Sequence, residues 1–247
     1  MTASTDSKHA GTITNDAIAP QGPQLLYSTS FDGFTGTGFA PDATSGRLNS
    51  NVFRILGLSD LAAPAYGFTS PAVGAPANDF GRGTIQGSAD PTTGGVYSPS
   101  ANAALVIQPT GSDFVEGNGA IEARIQNTTG FTATSFEVAF DWAYRNSGGR
   151  ADGLQLSYSS DGVSFTPVTS TAFTTPGAAD TTVAASFTNV AALVSIGDVV
   201  VANDGYLYLR WGHTGSSGSG NRDEIGIDNL AVRAGVTDAP TLTFSDV

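Results

Sequence analysis

The sequence predicts an all-β chain folded as an antiparallel β-sandwich, and three features carry that prediction. Hydrophobic residues make up 40% of the 247 positions and charged residues only 13%, with abundant Gly, Ser and Thr, a profile of short strands joined by turns rather than of long helices. Several segments between Leu25 and Val232 alternate apolar and polar residues at period two. Clusters of Gly, Asn, Asp and Pro separate them, and these residue types supply turn geometry. Sandwiches of roughly 200 to 250 residues commonly form one unit, so the length does not require a second domain.

Residues 1–24, MTASTDSKHAGTITNDAIAPQGPQ, are small, polar and without apolar periodicity, and read as a flexible arm or linker carrying an idle His9. No apolar run there suits a signal-peptide core, and no later segment is long and apolar enough to span a bilayer as a helix. Order is expected from Leu25, with Leu25, Tyr27, Thr29 and Phe31 sharing a face ahead of the turn at Asp32-Gly33. From Thr35 to Pro99 the chain reads as long loops around one or two short strands, NVFRIL at Asn51 to Leu56 among them, and such loops often carry function.

The densest strand signals follow at Ala103 to Gln108, Ala120 to Gln126 and Ser135 to Arg145. In the last, Phe136, Val138, Phe140, Trp142 and Tyr144 fall on one face, which predicts a core face, while Glu137 and Asp141 fall on the other. Leu154, Leu156 and Tyr158 lead through Ser160-Asp161-Gly162 to Val163 and Phe165, a hairpin pattern. Two final strands, Gly205 to Trp211 and Glu224 to Val232, bracket a Gly/Ser-rich loop from Gly212 to Gly220. In the second of these, Ile225 and Ile227 share one parity and Leu230 and Val232 the other, so the inward face switches at Asp228-Asn229, as a bulge would make it do. The sandwich is therefore expected over residues 25–234, and residues 235–247 resemble a linker leading into the first strand of a following domain.

A net charge of −12 repels the phosphate backbone, which argues against direct nucleic-acid binding, and the same acidity suits an oxygen-rich site for a hard cation. The absence of cysteine excludes disulfides, thiolate metal sites and a cysteine nucleophile. His213 opens the Gly/Ser-rich loop without the context of a nucleophile elbow, so a hydrolytic triad is not expected. Glu137 and Asp141 share a strand face and form the one acid pair to weigh for glycosidase chemistry; two solvated acids are the plainer explanation. Tyr206, Tyr208 and Arg210 share a parity, and a face of two tyrosines and an arginine suits a partly open, ligand-binding surface better than a core.

The stretches LYLRWGHTGSSGSGNRDEIGIDNLAV and DWAYRNSGGRADGLQLSYSSDGVSF resemble the jelly-roll modules of bacterial extracellular multidomain proteins, which include secreted endonuclease/exonuclease/phosphatase-type proteins and anchored surface proteins. The resemblance covers roughly residues 25–234, and PTLTFSDV at residues 240–247 resembles the opening strand of a Calx-β repeat. It implies a jelly roll of the carbohydrate-binding-module kind, a non-catalytic extracellular or cell-surface role in adhesion or in binding polysaccharide or cell-surface glycan, and secretion as part of a larger protein. A catalytic jelly-roll hydrolase is the alternative. The resemblance also implies a structural calcium ion that ties an early strand to the last one, which points to Asp228, with Asp32 as the early-strand partner and Asp223 or Glu224 as neighbours.

Overall fold

The computed structural model describes residues 22–42, 46–61, 63–86, 91–180 and 187–236. The predicted arm up to residue 21 and the Calx-β-like segment lie outside these residues. The strands run, in chain order, β1 (Gln24–Thr29), β2 (Phe39–Ala40), β3 (Leu48–Asn49), β4 (Phe53–Leu56), β5 (Thr84–Ile85), β6 (Gly95–Pro99), β7 (Leu105–Gln108), β8 (Ala120–Gln126), β9 (Ala133–Arg145), β10 (Arg150–Ser159), β11 (Thr166–Pro167), β12 (Phe173–Thr174), β13 (Thr188–Ile196), β14 (Tyr206–Gly218) and β15 (Glu224–Val236).

They build two large sheets that face each other, and β2 and β3 pair in parallel as a small third sheet. A seven-stranded back sheet has the order β13-β9-β15-β7-β6-β5, with β1 also on β15. A six-stranded front sheet has the order β11-β10-β14-β8-β4, with β12 on β10. The long strands β8, β9, β10, β13, β14 and β15 alternate between front and back as the chain proceeds, and almost all pairings are antiparallel. This is an antiparallel jelly-roll β-sandwich: the alternating segments predict the sandwich, and the resemblance implies the jelly roll.

The period-two pattern explains which faces meet. From β9, Phe136, Val138, Phe140 and Trp142 point inward against Leu207, Leu209 and Trp211 of β14. Trp142, only 3% exposed, stacks on Phe173 at 5.5 Å and meets Phe140 edge-on at 4.8 Å, so the aromatic face is core.

The phase switch is a bulge. Asp228 pairs with Asp141 and Ala231 with Ala139, leaving Asn229 and Leu230 opposite one residue of β9, and Asn229 takes φ 49°. Leu230 and Val232 thereby return to the core side beside Ile225 and Ile227. At the same place the other edge of β15 changes partner, from β7 at residues 225–227 to β1 at residues 230–234. Gly226 is required by that crowded edge: a Cβ there would stand 1.9 Å from the Leu105 carbonyl oxygen.

Four sequence expectations change. Leu25 does not share a face with Tyr27, because the register shifts between them; Leu25 is 51% exposed while Leu26 and Tyr27 pack on the core. Most of the expected Gly212 to Gly220 loop is strand, since β14 continues to Gly218 opposite Arg150, pairing with β10 outweighing the poor strand propensity of Gly and Ser. In the segment directly after the Asp161-Gly162 turn, Thr166 and Pro167 alone pair with β10, so Val163 and Phe165 lie outside a strand. The edge strand β13 has no counterpart in the sequence reading, although Val190, Ala192, Val194 and Ile196 alternate at period two.

Candidate functional site

The outer face of the front sheet is the candidate site. Strand alternation turns Leu207, Leu209 and Trp211 inward and therefore Tyr206, Tyr208, Arg210 and Gly212 outward. Antiparallel register then sets outward residues side by side. One row across four strands is Ser157, Arg210, Glu122 and Arg54, and the next is Gln155, Gly212, Ala120 and Leu56. Tyr208 stands between Ser159 and Arg124, and Tyr206 opposite Gln126.

Charge fixes the first row. Glu122 is buried beneath the two guanidinium groups, with Oε2 accepting from Arg54 Nε at 2.6 Å and Oε1 from Arg210 Nε at 2.5 Å. Charge-assisted bonds of this kind, with both carboxylate oxygens in use, hold the arginines in one geometry. Arg210 also lies 3.6 Å from the centre of the Phe165 ring. Above that row, Tyr66 is held between Arg54 at 4.6 Å and Arg124 at 4.4 Å, and Arg124 reaches over Tyr206 at 5.0 Å. Burial pushes the Tyr66 hydroxyl well above the ordinary phenol range, so the ring stays neutral. The Asp161-Gly162 turn lies against the Tyr208 ring, where Gly162 at φ 72° would place a Cβ only 3.0 Å away.

The second row floors a groove of about 290 Å³. Gly212 and Ala120 leave it open by their lack of bulk; Phe165, Pro167 and Arg210 line one side, and Gly117–Gly119 with Thr214 the other. The parity of Tyr206, Tyr208 and Arg210 placed these three residues on this face. Tyr66, Arg54, Arg124, Glu122 and Phe165 were not legible, because they arrive from loops and from strands whose register only the pairing reveals.

The expected cation ligands are not gathered into a site. Asp228 is buried on β15, its Oδ2 accepting from Asn189 Nδ2 at 2.8 Å and Asn102 Nδ2 at 3.1 Å and its Oδ1 from the Asn229 amide at 2.7 Å. Burial raises its pKa, and these bonds pull it back. Asp32 accepts from Ser30 Oγ at 2.6 Å in the turn after β1. Asp223 accepts from the Gly148 amide at 2.8 Å, and Glu224 faces Arg145 at 3.6 Å and Ser147 Oγ at 3.1 Å. Among the described residues no group of three or more His, Cys, Asp or Glu is placed to hold a metal ion.

His213 is not a loop residue but an inward residue of β14, 3% exposed, with Nε2 3.0 Å from Asp152 Oδ1. Asp152 also accepts from Arg222 Nη1 at 2.7 Å. Glu137 lies 3.9 Å from Arg233, and Asp141 accepts from Asn229 Nδ2 at 2.8 Å, both on the outer face of the back sheet. Four residues along a strand separate their backbones by about 13 Å, more than the roughly 5 to 9.5 Å between glycosidase carboxylates.

No family model matches the chain, and no curated protein matches it. Among solved structures it is similar to TmCBM61 in complex with β-1,4-galactotriose, at 15% identity and a TM-score of 0.28, over 53% of this chain and 70% of that one. It is similar to the CBM22-1–GH10 modules of the Clostridium thermocellum endo-1,4-β-D-xylanase 10B complexed with xylohexaose, at 9% identity and a TM-score of 0.31, over 60% of this chain and 24% of that one. A third likeness is to the enzymatically active domain of bacteriophage CBA120 tailspike protein 4, at 10% identity and a TM-score of 0.32, over 60% of this chain and 18% of that one. Likenesses this distant say nothing of what this chain binds.

Proposed function

We propose that this chain is a glycan-binding module and that the outer face of the front sheet receives the sugar. The observation that carries the reading is the juxtaposition, on the outer face of one sheet, of the half-buried Tyr66, Tyr206 and Tyr208 rings with a groove floored by Gly212 and Ala120. Sugars present apolar C–H faces and equatorial hydroxyls, and aromatic rings beside fixed polar groups complement both. Gln155 and Ser157 at the groove and the Arg210–Glu122–Arg54 row supply donors and acceptors held in place before a ligand arrives. A polysaccharide ligand fits a role outside the cell or at its surface, in adhesion or as the targeting part of a larger protein. The carboxylate-pair hydrolase is the weaker reading, given the spacing of Glu137 and Asp141 on the opposite sheet.

Titration calorimetry against a panel of soluble polysaccharides tests the proposal. Replacing Tyr206 and Tyr208 together by Ala is expected to weaken binding by about tenfold or more, from the loss of two ring contacts of roughly 0.5 to 1.5 kcal/mol each, with the melting temperature little changed. Native protein that binds no member of the panel, or a double variant that binds as well as native, rejects it.

A further inference from the structure

The groove and the tyrosine platform account for a sugar face, but not for its charge. The whole chain has twenty-two acidic against ten basic residues. On this one face the balance reverses: Arg54 and Arg210 flank the buried carboxylate of Glu122, and Arg124 lies across the Tyr66 ring from Arg54. Asp161, at the rim beside Tyr208, accepts through Oδ1 from Ser159 Oγ, the Val163 amide and the Ser164 amide, which lowers its pKa to about 2 and keeps it charged. With Glu122 it sets two negative charges against the three positive ones, so the face remains net positive.

The arginines are also unequally engaged. Glu122 takes Nε–H from both Arg54 and Arg210, so one negative charge is shared by two positive ones. Arg124 gives its Nε–H to the Asn51 carbonyl at 2.7 Å, a neutral acceptor, and its terminal amino groups have no acceptor among the described residues. Its guanidinium is nevertheless held, lying over Tyr66 at 4.4 Å and Tyr206 at 5.0 Å. A guanidinium stacked on ring faces directs its N–H groups out along its own plane, the geometry that receives two oxygens of a carboxylate or sulfate at once.

We infer that this face selects anionic polysaccharides, with Arg124 on its tyrosine platform binding a carboxylate or sulfate group of the chain whose sugar rings lie against the tyrosines and the groove. The inference rests on the glycan-binding reading of the same face and adds the substrate class. An anion on Arg124 offsets the net positive charge that the three guanidinium groups leave on this face, a reason to bind here that a neutral sugar lacks.

The test compares polymers that differ only in charge, at a fixed 150 mM salt. Polygalacturonate is set against its fully methyl-esterified form and dextran sulfate against dextran, with a single-stranded DNA of similar length as a third polyanion. Native protein is expected to bind at least one anionic glycan tenfold or more tightly than its neutral parent, and which pair shows the difference tells carboxylate from sulfate. Arg124→Gln is expected to remove that preference while retaining the weaker affinity for the neutral parent, and Arg124→Lys, which keeps the charge but not the fork, to keep part of it. The lysine variant also serves if the glutamine variant fails to fold. Equal affinity within both pairs overturns the charge selectivity and leaves glycan binding standing; no binding of any polymer removes the glycan reading itself. DNA bound as tightly as the best anionic glycan overturns the inference in favour of a general polyanion face.

Discussion

Asp223 lies just before β15, where burial pushes its pKa up to about 6; bonds from Thr175 and the Gly148 amide act against that rise, and the nearby charge of Asp152 adds to it. Between about pH 4 and pH 6 the folded chain keeps a proton there that the unfolded chain has lost, so this residue withdraws stability as the pH rises through that window and nothing further above it. Asp223→Asn keeps an oxygen for the Gly148 amide without the buried charge. Scanning calorimetry from pH 4 to pH 8 should show the variant melting with native protein near pH 4 and above it at pH 7.5. An offset that is the same at every pH would reject this account. Trp142 makes the opposite kind of contribution, purely apolar: Trp142→Ala should cost about 3 to 5 kcal/mol in a urea titration, whereas a loss under about 1 kcal/mol would contradict its place between Phe140 and Phe173.

At the scale of elements, β15 shows what a sequence makes legible. Its phase switch is written in the parities of Ile225, Ile227, Leu230 and Val232, because the core enforces one inward face on either side of a bulge. The left-handed backbone at Asn229 follows from that geometry, and its side chain secures it by donating to Asp141. Asn229→Gly should therefore be nearly neutral and Asn229→Val should cost about 1 to 3 kcal/mol in chemical denaturation; similar losses from both would mean that the Asp141 bond, not the backbone, matters. The extension of β14 and the existence of β13 were not legible in the same way. In β14 the strand is imposed by its partner β10 rather than by its own Gly and Ser residues. In β13 the outer face carries Ala191, Leu193 and Ser195 in place of charged residues, Leu193 being 68% exposed, so the contrast that marks a half-buried strand is weak.

For the molecule as a whole, both sheets share one core cluster that includes Trp142 and Trp211. Tryptophan fluorescence and far-ultraviolet circular dichroism should accordingly report a single, coincident unfolding transition, and two separated midpoints would show that the sheets come apart independently. The fold was legible because period-two alternation is a local signal; the site was only half legible, because the Arg54–Glu122–Arg210 row and Tyr66 meet through pairings between residues far apart in sequence. One pairing of that long-range kind has a mechanical side. Gln24 lies opposite Ala234, so the chain enters and leaves the sandwich at one corner. Tension applied through the segments before Gln24 and after Val236 would load the β1–β15 hydrogen bonds one at a time, like a zip, rather than all together in shear. Pulled from both ends, this corner would give way by peeling off β1, while the front sheet, its outer face and the β7 half of the same edge carried none of the first load.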